Sequence, residues 1–70
     1  MRYAVVLERG KRNWSAYSPD VLGCAATGKT REETLRMFSE ALRMHLRGMK
    51  EDGFPLPRPS TEVDTVEVEA

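Results

Sequence analysis

Residues 30–53, TREETLRMFSEALRMHLRGMKEDG, constrain this chain more than any other stretch. Thr30-x-x-Glu33 fits a capping box, in which each side chain satisfies a backbone donor left free at a helix start. Glu32 and Glu33 complement the positive end of the helix dipole. Gly53 supplies a left-handed stop, and Pro55 forbids continuation. Between them Leu35, Phe38, Leu42, Leu46 and Met49 recur at spacings of three and four, one apolar stripe on an otherwise polar cylinder. The pattern predicts a helix from Thr30 to about Asp52. Such a helix must lay its stripe on something, and the rest of the chain has to provide it.

The preceding residues read as strands. In residues 2–8, Tyr3, Val5 and Leu7 share one face while Ala4, Val6 and Glu8 share the other. Arg9–Asn13 forms a hairpin loop, and Trp14–Ser18 returns as a second strand. Pro19-Asp20 breaks it, Gly23 ends the connection, Cys24–Thr27 makes a short third strand, and Gly28 frees the turn into the helix. After the helix, Phe54–Pro59 is expected as an extended strut. Thr61–Glu69 is expected as a fourth strand with Val66 and Val68 inward and Glu67 and Glu69 outward. Val63 breaks that parity, which points to a bulge or a shifted start. The expectation is a single α+β domain over residues 1–70, ordered β-β-β-α-β. A right-handed crossover would place the last strand parallel to the first and beside it. One helix then covers one face of the sheet and leaves the other open.

Seventy residues lie near the lower limit for a self-sufficient core, which at this size rarely supplies more than roughly 3–5 kcal/mol. A lone Cys24 excludes an internal disulfide, and one cysteine with one histidine, His45, is a poor zinc set. Extra burial is therefore expected from self-association, as a homodimer or a higher homo-oligomer. No apolar run approaches the roughly 20 residues a membrane span needs. The five-residue apolar run at the N-terminus is too short for a signal peptide. A free cysteine without an export signal points to the cytoplasm. Charge is polarised: residues 1–50 hold ten Lys/Arg against five Asp/Glu, residues 51–70 one against six. Such asymmetry suits head-to-tail assembly, or an acidic arm offered to a basic partner; two ordinary solvated faces would look the same.

Several marks taken together resemble the HicB-like antitoxin family. They are Leu7-Glu8 closing the first strand, Trp14-Ser15-Ala16-Tyr17, Pro19-Asp20-x-x-Gly23-Cys24 and Gly28-x-Thr30-x-Glu32-Glu33-Thr34. Ala41-Leu42 and His45-Leu46 follow in the helix, then Gly53-x-Pro55-x-Pro57. The resemblance covers nearly the whole chain. It implies a partial ribonuclease-H-like sheet with one helix, and a non-enzymatic antitoxin that occludes a small basic ribonuclease toxin of HicA type. Many members add a C-terminal DNA-binding segment. This sequence reaches Ala70 directly after the expected fourth strand, so direct DNA binding is not expected of it.

Two groups of residues are candidate partner contacts. Met37 and Met44, flanked by Ala41 and Gly48, lie opposite the apolar stripe, where adaptable thioethers and close backbone approach suit a contact seam; isolated exposed methionines are the plain alternative. Glu62, Asp64, Glu67 and Glu69 would line the fourth strand and could face a basic RNA-binding surface, or simply discourage unwanted strand pairing. The alternative function is a nucleic-acid-binding module using Tyr3, Trp14 and Tyr17 with Arg2, Arg9, Lys11, Arg12 and Lys29. Strand parity argues against all three rings sharing one face. A metal nuclease would need carboxylates such as Glu8, Glu33 or Glu40, and Asp64 to converge, but capping accounts for Glu33. Gly28-x-Thr30 as an anion site is opposed by the carboxylates of Glu32 and Glu33. His45, near the edge of the stripe, and Cys24, in a strand of small residues, read as packing residues. No catalytic residue, cofactor or metal is expected.

Overall fold

A computed structural model describes residues 1–69. Three strands, β1 (Val6–Arg9), β2 (Trp14–Ser18) and β3 (Val21–Gly28), precede one helix, α1 (Arg31–Glu51). The sheet is antiparallel in the order β1-β2-β3, with Leu7 opposite Ala16 and Ala16 opposite Ala26. That register fixes the faces. Tyr3, Val5, Leu7, Trp14, Ala16, Ser18, Cys24 and Ala26 turn toward the helix, whereas Val6, Ser15, Tyr17, Ala25 and Thr27 turn away. Among the described residues no helix or strand packs on this second face.

The paired part of β1 is shorter than the alternation over residues 2–8 suggests. Val6 pairs with Tyr17, and continuing the ladder would bring Ala4 opposite Pro19, which has no N–H to donate. β3 is longer than expected. It starts at Val21, directly after the Pro19-Asp20 turn, and absorbs Gly23 (φ 80°) within a register irregularity instead of ending a loop there.

The helix has the expected ends, with one change of partner. Thr30 Oγ1 accepts from the Glu33 amide at 3.1 Å. Glu33 Oε2 reaches past the cap and accepts from the Lys29 amide at 3.0 Å. At the other end the Gly53 amide donates to Lys50 O and the Phe54 amide to Met49 O (3.1 and 2.8 Å), a Schellman closure around Gly53 at φ 78°.

Phe38 is the centre of the core, fully buried with Ala16, Val21 and Cys24; Tyr3, Val5, Leu7, Ala26, Ala41 and Leu42 pack around it. The buried stripe is rotated from the expected one. Thr34 is fully buried, whereas Leu35 is 37% exposed. Thr34 belongs inside because its hydroxyl donates to Thr30 O at 2.7 Å, which removes the penalty of burying it. A Cβ on Gly28 would lie 2.7 Å from Thr34 Oγ1 and 3.2 Å from its amide nitrogen, so the start of α1 sits against bare backbone of β3.

The fourth strand is not formed. Residues 61–69 pair with no strand, and every residue from Glu62 to Glu69 is exposed. The order among the described residues is β-β-β-α, although the α+β class with one helix on one sheet face is as expected. A 21-residue helix about 31 Å long and this unpaired segment make the molecule elongated. Its radius of gyration is 13.8 Å, against about 11 Å for a compact chain of this length.

A core this small leaves little margin. Phe38→Ala should cost about 3–5 kcal/mol, comparable with the whole stability available, and leave the isolated chain unfolded by circular dichroism. Gly28→Ala should cost about 1–3 kcal/mol by overpacking against Thr34, read as a lower urea midpoint.

Candidate functional site

Past the helix, the chain is tied down at two points. The Tyr3 hydroxyl donates to Pro57 O at 2.6 Å. The Asp20 carboxylate then accepts four hydrogen bonds from two consecutive residues. Oδ2 takes the amides of Ser60 and Thr61 (3.0 and 2.9 Å), and Oδ1 takes their hydroxyls (3.2 and 2.7 Å). Asp20 thus clamps a strap that starts at Leu56 to the β2–β3 turn. The Thr61 hydroxyl, then the Thr61 amide, favour the carboxylate form and hold the Asp20 pKa below its ordinary value; desolvation opposes them, and the Ser60 amide and hydroxyl add smaller contributions in the lowering direction.

Beyond the clamp, Glu62, Asp64, Glu67 and Glu69 stand on an exposed segment together with Val63, Val66 and Val68, which are 68–83% exposed. Asp64 Oδ1 accepts from the adjacent Thr65 amide at 2.7 Å. On α1, Met37 and Met44 face water as expected, the latter 72% exposed. Ala41 does not flank them, because it packs against the core; its place at the edge of the rotated stripe explains the difference. Gly48 is half-buried, with nothing within 4 Å of where a Cβ would stand. The eight residues therefore do not make one site. The methionines and the carboxylates lie on separate elements with no side-chain hydrogen bond between them among the described residues.

A third surface went unseen in the sequence. α1 lies mainly over β3 and β2 and only grazes β1. Between the residues leading into β1 and the helix an apolar groove of about 480 Å³ opens, lined by Tyr3, Val5, Leu35, Leu42, Leu46 and Arg43 among others. At the opposite end of the sheet Arg9, Lys11, Arg12 and Lys29 surround Trp14 in a small basic hollow of about 110 Å³. Trp14 and Tyr17 project from opposite faces of β2, so no three-ring stacking platform exists.

Glu33 is engaged at the helix start, and Asp64 lies in the exposed tail. No three or more His, Cys, Asp or Glu residues among those described are grouped to hold a metal ion. Cys24 is buried, and desolvation raises its thiol pKa, the opposite of what a nucleophile needs. His45 is half-buried near Gly23, its Cε1 3.9 Å from where a Cβ would be. No helix is long and apolar enough to cross a membrane.

A three-stranded antiparallel sheet with one helix on one face makes this a small α+β domain. The chain belongs to the HicB-like antitoxin family of bacterial toxin–antitoxin systems, whose model matches residues 3–69. It is 38% identical over 71 residues to Antitoxin HicB 2 of Photorhabdus laumondii, covering all of this chain and 51% of that protein. It is 34% identical over 58 residues to a 14.9 kDa protein of the rep-hol intergenic region of Haemophilus phage HP1, covering 83% of this chain and 44% of the phage protein. The chain thus spans about half the length of these two relatives. A UPF0150 protein of Thermoplasma acidophilum is 30% identical over 67 residues, with 94% of this chain and 97% of that protein aligned. Among solved structures, the HicA3 and HicB3 toxin–antitoxin complex contains a chain that superposes with a TM-score of 0.71. The identity is 28%, over 86% of this chain and 70% of that one.

The clamp has a pH signature. Because folding lowers the Asp20 pKa, its stabilising contribution is complete above the unfolded carboxylate value near 3.9. It disappears as pH falls through the lower folded value. Amide NMR signals of Ser60 and Thr61 should therefore titrate with a midpoint below 3.8. Asp20→Ala should abolish that titration and make residues 56–61 accessible to protease while the core stays folded.

Proposed function

We propose that this chain is an antitoxin that binds and occludes a small basic HicA-type ribonuclease, without catalytic activity of its own, in the cytoplasm. Membership of the HicB-like family over residues 3–69 carries this reading, and the match to a chain of a HicA3–HicB3 complex supports the choice of partner. The physical argument is charge. Residues 62–69 carry four carboxylates and no cation on an exposed segment, the sign of charge that an RNA-cleaving protein is built to bind. Met37 and Met44 supply a second, adaptable contact on the helix.

The test is a binding titration with the HicA-type toxin of the same host, paired with an RNA-cleavage assay. A stoichiometric complex that protects RNA is expected. Replacing the tail carboxylates together (Glu62→Gln, Asp64→Asn, Glu67→Gln, Glu69→Gln) should slow association by roughly tenfold or more and flatten its salt dependence. Unchanged association would remove the tail from the mechanism.

The basic hollow around Trp14 favours one other reading, a nucleic-acid-binding module. Its four cations predict a log–log salt slope of roughly −3 for single-stranded RNA. Loss of RNA binding in Lys11→Ala/Arg12→Ala, with no toxin complex, would favour it.

A further inference from the structure

Four cations converge on one small hollow, and no carboxylate joins them there. Arg9, Lys11 and Arg12 come from the β1–β2 hairpin, and Lys29 comes from the turn between β3 and α1. The ladder brings them together. Trp14 pairs with Arg9 on one side and with Gly28 on the other, so the residue after Gly28 arrives beside the hairpin loop. Three acids stand near these residues in sequence, yet none lines the hollow. Glu8 pairs with Ser15 on the far face of the sheet. Glu32 lines a different depression with Arg36 and Glu40, and Glu33 accepts from the Lys29 amide at 3.0 Å.

The backbone beneath the four cations is fixed. The Gly10 amide donates to Asn13 O at 2.7 Å and closes the loop. A Cβ on Gly10 would stand 3.2 Å from that same oxygen, so the hairpin is drawn tight. Lys29 is tied through its amide to the first turn of α1. Only side chains have to settle around a ligand, which keeps the ordering cost of binding low.

Size and charge narrow the ligand. The 110 Å³ of the hollow is room for about four water molecules at roughly 30 Å³ each. That fits one tetrahedral oxyanion and leaves no space inside for a base or a sugar. Like charges gathered in this way repel, and a dianion seated between them turns that repulsion into attraction. A phosphate monoester carries about 1.5 to 2 negative charges at neutral pH, whereas each diester link of a nucleic-acid chain carries a single one. The planar forks of Arg9 and Arg12 suit paired phosphate oxygens, and Lys11 and Lys29 add point charge.

We propose that the hairpin hollow binds a single phosphate monoester group, with Arg9 and Arg12 as its forks and Trp14 as one wall. The hollow is the one on which the nucleic-acid reading rests, but the two part company. A module that tracks a strand by its diester backbone takes an unphosphorylated chain equally well, and this site does not.

Trp14 is the one tryptophan of the chain and lines the hollow, so its fluorescence reports occupancy. Titrating the intact chain with inorganic phosphate, at an ionic strength held constant with chloride, should give a saturable change. Amide NMR shifts should be confined to residues 9–14 and Lys29. Arg9→Gln/Arg12→Gln should weaken binding roughly tenfold or more with an unchanged circular dichroism spectrum, since both residues are exposed. Arg36→Gln/Arg47→Gln, which removes the same charge from exposed positions of α1, should change it by no more than about twofold. Two further probes locate the group. Equal affinity for adenosine monophosphate and a 5′-phosphorylated oligoribonucleotide assigns a free small compound, and tighter binding of the oligonucleotide assigns an RNA end. A response that never saturates, or equal losses in the two double variants, would overturn the proposal. So would an oligoribonucleotide that binds as tightly with a 5′-hydroxyl as with a 5′-phosphate, a result that leaves the nucleic-acid reading standing.

Discussion

Phe38 makes the contact on which the rest of this molecule depends. It is a wholly buried aromatic ring, set where one helix meets a three-stranded sheet. Aromatic side chains bury about 150–250 Å² each, and here one of them has only Ala16, Val21 and Cys24 as fully enclosed apolar neighbours. The start of α1 can press this close because Gly28 presents no side chain and Thr34 satisfies its own hydroxyl. Removing either condition lifts the helix off β3 and opens the small core from its tightest side.

A core built this way covers one face of the sheet only in part. α1 is seated toward β3, so the β1 side stays uncovered and becomes a groove. The second face, small residues around Val6 and Tyr17, meets no helix or strand among the described residues. The surfaces available for partners thus follow from the off-centre seat of a single helix.

Local features were legible in the sequence because local interactions cause them. The boundaries of α1 follow from Thr30, Glu33, Gly53 and Pro55, and β2 lies where Trp14–Ser18 places it. Packing residues Cys24 and His45 needed no special explanation either. The misses concern contacts between distant residues. Periodicity ran the buried stripe from Leu35 through Phe38, Leu42 and Leu46 to Met49, but Thr34 is buried in place of Leu35 through a hydrogen bond to Thr30 O that hydropathy does not count. Alternating valines suggested a fourth strand, yet a strand exists only when an edge accepts it, and Asp20 holds this one elsewhere. The Pro19-Asp20 pair read as a strand breaker. Its second task, accepting bonds from residues 40 and 41 positions later, leaves no periodic trace. Of the candidate contacts, Met37, Met44 and the four carboxylates are exposed as expected, while Ala41 is packed against the core by the rotation of the helix.

The clamp also divides the chain into parts with different fates under proteolysis. Extended backbone outside a core is where nicking concentrates, and residues 62–69 are the longest fully exposed run after the helix. A cut just past Thr61 would spare all four Asp20–strap bonds and Phe38, so the body would persist while its electrostatic character changed. Without that run the protein would pass from neutrality to a surplus of four positive charges, converting an acid-tipped domain into a cationic one in a single irreversible step.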